Sequence, residues 1–197
     1  MDANAFLKSI SQQVAPQGAS SGGPGGVKLQ FSVPCYEVDY EQKKAPSFQY
    51  IFYDLPFPQL PQYVGFHVAN GWIGGTGLGL HQVIKILKPD GTVHLETPKQ
   101  PLEFKDQYTP FLAINRFPDI PFETEGYYWI VVYLEDQEQV RYPISSRVVG
   151  WEAYGEAAGE MKARYEAEMA EREARRNAAE QAQQQPPAPP NPFGLGQ

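Results

Sequence analysis

The sequence predicts an all-β fold, an antiparallel immunoglobulin-like sandwich, followed by one C-terminal amphipathic helix and a disordered Pro-rich tail. Three observations predict it. Between residues 27 and 150 the chain is rich in aromatic and β-branched residues, which suit a pleated surface, and is cut by Pro and Gly into short segments. Within those segments apolar and polar residues alternate, and helical spacing is almost absent. At Gly150 the character changes, and Ala, Glu, Arg and Gln dominate up to Gln185. Four regions follow: a short helix plus Gly/Ser tether over 1–26, the sandwich over 27–150, the helix over 151–185, and the tail over 186–197.

Taken in order, Asp2 caps a short helix to Val14, with Phe6, Ile10 and Val14 at four-residue spacing. Pro16–Gly26 has the composition of a flexible tether. Val27–Val33 alternates, which places Val27, Leu29, Phe31 and Val33 on one face. Phe48–Tyr53 and Tyr63–Ala69 are the next strands, and Pro56, Pro58 and Pro61 impose an extended loop between them. Val83–Leu87 and Thr92–Glu96 flank Lys88-Pro89-Asp90-Gly91, where Pro suits the first central turn position and Gly the positive φ. Pairing Lys88 with Thr92 sets His94 opposite Ile86. Later strands are expected at Pro110–Asn115, Tyr127–Leu134 and Gln139–Val149, with Glu135–Glu138 as an acidic hairpin tip.

From Trp151 the period becomes 3.6: Trp151, Tyr154, Ala158, Met161 and Tyr165 follow steps of three and four, with Met169 beside the continuing stripe. Glu160–Arg164, Glu168–Arg172 and Glu171–Arg175 place acid before base at four-residue spacing, the stabilising order. Pro186-Pro187-Ala188-Pro189-Pro190 ends the helix.

The net charge of −7 and pI near 5.0 argue against a protein that binds nucleic acid by collecting phosphates. Lys43-Lys44, the only adjacent basic pair in the central region, reads as a solvated turn. A single cysteine, Cys35, excludes an intrachain disulfide and a cysteine-cluster zinc site, and its strand context makes it packing. The start of the chain lacks the charge and apolar run of a secretory leader, and no segment has transmembrane length. The expected location is the cytoplasm or a phage particle.

The candidate chemistries fail on their surroundings. Gly74–Gly79 is glycine-rich, but Leu80 stands where a dinucleotide fingerprint needs Gly, and a strand rather than a helix follows. Gly18-Ala19-Ser20-Ser21-Gly22 has nucleophile-elbow spacing without the preceding strand that strains such a turn. His94-Leu95-Glu96 lacks the cysteine pair of a zinc deaminase, and His67, His81 and His94 read as satisfied or exposed. Asp119, Glu123 and Glu125 around an Ile120-Pro121-Phe122 loop lack calcium-loop spacing. Asn191-Pro192-Phe193 is a three-residue adaptor-type motif inside a Pro-rich tail.

Several stretches carry a family likeness: Val33-Pro34-Cys35-Tyr36-Glu37-Val38, Leu55-Pro56-Phe57-Pro58, Ile86–Gly91, Asn115-Arg116-Phe117, Gly126-Tyr127-Tyr128-Trp129 and Val140–Ile144. Together they resemble DUF6941, a group of small bacterial and phage β-sandwich domains. In that family a Cys-bearing first strand, a Pro-Asp-Gly hairpin and a Phe-x-x-x-Gly-x-Tyr penultimate strand recur. The resemblance spans about residues 27–149 and neither end. It implies the sandwich and no catalytic residues.

The expected function is therefore that of a non-enzymatic protein-binding or assembly module, with no catalytic, cofactor or metal residues. A protein partner or a second copy would dock through Trp151, Tyr154, Met161, Tyr165 and Met169, and Trp72 and Ile73 would offer an apolar loop base, against the competing reading that Trp72 caps the core. Neither nucleic acid nor membrane is an expected partner. Two other readings stand beside it. The arm aromatics pack back on their own sandwich, or the chain is a structural component of a phage particle or similar bacterial assembly.

Overall fold

The structure, a computed structural model, describes residues 23–40, 45–75 and 79–184. The N-terminal helix, most of the tether, Lys43-Lys44 and the Pro-rich tail lie outside the described residues. The chain divides into two units, one ending at Val148 and the other beginning at Val149.

Among the described residues, ten strands build the first unit: β1 (Lys28–Asp39), β2 (Ser47–Ile51), β3 (Asp54–Phe57), β4 (Gln62–Ile73), β5 (Leu80–Leu87), β6 (Val93–Glu96), β7 (Gln100–Leu102), β8 (Phe111–Phe122), β9 (Gly126–Leu134) and β10 (Gln137–Val148). The first sheet has the order β2-β1-β4-β8. The second runs β3-β10-β9-β5-β6, with β7 also on β5. The core lies between them. Phe66, Val68, Trp72, Phe117 and Phe122 come from one sheet, and Ile84, Ile86, Tyr128, Ile130, Val132 and Ile144 from the other. Each such aliphatic or aromatic side chain contributes roughly 1.5–3 kcal/mol on burial.

Several elements differ from the sequence expectation, each for a local reason. The single apolar face expected along Val27–Val33 is broken by a register shift between Leu29 and Phe31. Leu29 packs on the core, whereas Ser32 Oγ meets Tyr142 OH at 3.0 Å, and Phe31 is 37% exposed. The Phe31 ring lies against Gly71, where any Cβ would collide with it. At the end of the expected tether, Gly26 N–H donates to Gly23 O in a short 3₁₀ turn over Pro24–Gly26, and Val27 is fully buried.

The proline loop contains a strand. β3 leaves the first sheet and pairs in parallel with β10, Pro56 facing Arg147, so the sandwich is antiparallel except at this edge. A proline can sit there because an edge strand leaves one side without ladder hydrogen bonds. Ile120-Pro121-Phe122 is likewise strand, the end of β8, rather than loop.

The Pro-Asp-Gly turn forms as expected. Gly91 N–H donates to Lys88 O at 2.9 Å, Lys88 N–H to Thr92 O at 2.8 Å, and Gly91 has φ 83°. A register shift between Ile86 and Leu87 then sets Leu95, not His94, opposite Ile86. The acidic tip narrows to Glu135-Asp136, with Glu135 at φ 53°, and Gln137 and Glu138 belong to β10.

In the second unit the α-helix starts later than expected. Trp151–Ala157 is a 3₁₀ segment interrupted at Gly155 (φ 56°, ψ −133°), and the α-helix α1 covers Ala158–Gln184. Gly155 supplies a conformation that L-residues rarely adopt. Its carbonyl then accepts the Ala158 N–H at the helix start.

Candidate interaction surfaces

In the arm, the break at Gly155 decides which predicted residues meet. Trp151 and Tyr154 stand on the 3₁₀ segment, not on α1, and Trp151 turns toward Tyr165 of that helix. The Trp151 ring lies 5.8 Å from that of Tyr165, near edge-to-face, and 6.5 Å from that of Tyr154. Such ring pairs add about 0.5–1.5 kcal/mol beyond area. Met161, one turn before Tyr165, is 39% exposed, and Met169, one turn after, is half-buried. No residue of the 3₁₀ segment is buried, and along α1 up to residue 181 only Ala158, Tyr165, Met169 and Arg172 are even half-buried. Ala158 and Tyr165 belong to the predicted stripe and Met169 lies beside it, whereas Arg172 was not part of it and Met161, which was, is exposed. The remaining faces are charged and tied by ion pairs, Glu168–Arg172 at 2.8 Å and Glu171–Arg175 at 2.6 Å among them.

Trp72 does not serve as a loop contact. It lies within β4, is fully buried, and donates its indole N–H to Gln82 Oε1 at 2.8 Å. Asn70 donates to the same oxygen at 3.2 Å, and Gln82 donates onward to Gln100 Oε1 at 2.7 Å. A buried indole needs such an acceptor, and this polar chain supplies it between the sheets. Ile73, the next residue, is half-buried at the strand end.

The titratable side chains sit apart. His67 Nδ1 meets Tyr36 O at 3.2 Å, His94 Nε2 meets Pro121 O at 2.7 Å, and His81 Nδ1 lies 3.4 Å from Glu135. Glu135 also accepts the His81 backbone N–H at 2.7 Å, which holds its carboxyl below the usual range. The three carboxylates around the end of β8 form no shared site. Glu123 pairs with Lys88 at 2.7 Å, and that bond lowers its pKa, while Glu125 accepts the Val148 N–H at 2.6 Å. Among the described residues no group of His, Cys, Asp and Glu is placed to hold a metal ion. Cys35 is buried, which pushes its thiol up.

Two surfaces escaped the sequence reading. Tyr50 (67% exposed), Ile51 (47%) and Tyr53 (56%) border Phe52, which alone of the four is buried. The signal was the unbroken apolar run Tyr50-Ile51-Phe52-Tyr53, too apolar for a strand with one wet face. Beyond Cys35, β1 pairs only with β2, and the Phe31 and Phe48 rings come within 5.7 Å. Phe31, Tyr40, Pro46, Gly71, Lys105 and Leu112 line a cleft of about 530 Å³.

Residues 30–147 match DUF6941, described as a family of unknown function. The chain belongs to DUF6941. The match runs from β1 almost to the end of β10 and stops before Trp151, so the DUF6941 region is the sandwich and the arm lies outside it. A crystal structure of an immunoglobulin-like protein from Pseudomonas aeruginosa is similar at 14% identity, with a TM-score of 0.34, over 64% of this chain and 100% of that one. No curated protein matches the chain. None of the described helices is long and apolar enough to cross a membrane.

Proposed function

We propose that this DUF6941 protein is a non-enzymatic interaction module in which the sandwich is a rigid body and residues 151–184 form the docking arm. One observation carries the reading: a helix of 27 residues that buries none of its described side chains and keeps its larger apolar groups on one stripe. A helix of this kind draws little stability from packing, so a seam of Met161, Tyr165 and Met169 gains from a partner's apolar surface. The partner is a protein or a second copy, which also accommodates a role within a phage particle or similar assembly.

Capture from lysate by the full chain, compared with Met161→Asp/Met169→Asp, tests it, together with light scattering for self-association. The reading expects a partner or self-copies with the parent chain, their loss in the variant, and an unchanged melting temperature. Equal retention by both proteins removes the arm as the docking element.

A further inference from the structure

The four sheet edges are not alike. β2 has five residues with Tyr50 at φ 56°, β3 has four with Pro56 among them, and β6 and β7 have four and three. Short strands, proline and local backbone irregularity are the devices that blunt an edge against pairing. β8 differs mainly in length: it has twelve residues, its prolines and a register shift against β4 fall in its second half, and among the described residues it ends the first sheet paired on one side only, to β4. Its far end is covered where His94 meets Pro121 O, but Phe111–Phe117 contains no proline.

Beside that proline-free stretch runs an open groove of about 370 Å³, whose walls include Ile114, Asn115 and Arg116 of β8 and Thr97, Lys99 and Gln100 of the β6–β7 segment. Two of the lining residues, Lys99 and Arg116, are cations outside any ion pair among the described residues, as are Lys28 and Lys105 elsewhere in the sandwich. Lys85, Lys88, Arg141 and Arg147 of the sandwich each hold a carboxylate within 3.0 Å. The Lys99 charge is felt at Glu135. Gln100, which also lines the groove, accepts from Gln82 through its carbonyl oxygen, so its amide N–H groups are not used in that bond.

We infer that the β8 edge is a strand-addition site for an extended acidic peptide segment of a partner, laid in the groove with its carboxylates on Lys99 and Arg116. Edge main-chain groups supply register and affinity in such docking, and alternate side chains supply selectivity. The two cations give the selectivity here: they favour Glu or Asp at alternate positions and disfavour Lys. This site is separate from the arm and stands or falls independently of it.

The test uses the full chain and a fluorescein-labelled heptapeptide of alternating Glu and Val, with the Lys/Val counterpart as control. Anisotropy is expected to show saturable binding of the acidic peptide alone, weakened about tenfold or more by Lys99→Glu/Arg116→Glu. Hydrogen exchange is expected to slow in the 111–117 amides when the acidic peptide is added. Absence of binding, equal binding of both peptides, indifference to the charge reversal, or protection away from β8 each overturns the inference. So does a dimer that protects the same amides without peptide, because the edge then belongs to a second copy.

Discussion

In the sandwich, Trp72 is fully buried between two sheets and gives its indole N–H to Gln82. In the arm, Trp151 is half-buried and meets the rings of Tyr154 and Tyr165. The difference lies in how the surroundings are held. The neighbours of Trp72 arrive from β4 and β5, in opposite sheets, and are fixed by ladders on both sides. The rings around Trp151 come from one short stretch of chain, brought together by a break at Gly155. A core assembled from distant strands cannot relax around a missing ring, whereas a locally built cluster can. The same side chain thus seals a core between two sheets in one unit and packs within a locally built ring cluster in the other.

The largest effect expected is at Trp72. Trp72→Ala leaves a cavity and deprives Gln82 of a donor, so chemical denaturation should show a loss of about 3–5 kcal/mol. Trp151→Ala should cost no more than about 1 kcal/mol, as for a half-exposed group. A loss at Trp151 as large as at Trp72 would erase the distinction and make the arm part of the folding unit. Next in size is Gly71→Ala, which drives a methyl into the Phe31 ring and should destabilise by about 1–3 kcal/mol. Adding Phe31→Ala should recover part of that loss; a strictly additive double mutant would show that the ring is not the obstacle.

A smaller effect is expected in alkali. Burial raises the Tyr142 phenol above its ordinary value of 10.0, with the hydrogen bond to Ser32 acting the other way. Its folded pKa therefore exceeds the unfolded one, so this contribution is complete below about pH 10 and is lost as pH rises further. Tyr142→Phe should flatten the alkaline fall in melting temperature, and a variant as alkali-sensitive as the parent would assign the fall to other groups. The smallest stability effect belongs to Met161→Asp, within about 0.5 kcal/mol of the parent for an exposed helical site.

Much of the sandwich was legible in the chain. The Pro-Asp-Gly turn, the β9 and β10 strands and the Val64, Phe66, Val68 face are local patterns, and the structure contains them. Register was not. The shift after Leu29 sends Phe31 out and Ser32 in, and nothing local to that strand marks it, because its partner is Gly71 some forty positions away. β3 was read as loop because Pro56 within it, with Pro58 and Pro61 close behind, argues against a strand, an argument that fails on an edge. In the arm, the stripe was visible, but nothing in the helical spacing marked Gly155 as the break that folds Trp151 toward Tyr165.

By itself, the sequence determined the division between a β-rich body and a helical arm, because alternation, turn residues and helical spacing are properties of neighbouring residues. It also determined that the body is acidic and that Trp72 and Trp151 belong to different regions. Only the tertiary structure decided that Trp72 is sealed inside, that β8 is the long edge, and that Lys99 and Arg116 share a groove. Those facts depend on which strands pair and where a ladder shifts, and pairing between distant segments is settled by the packing of the whole sandwich.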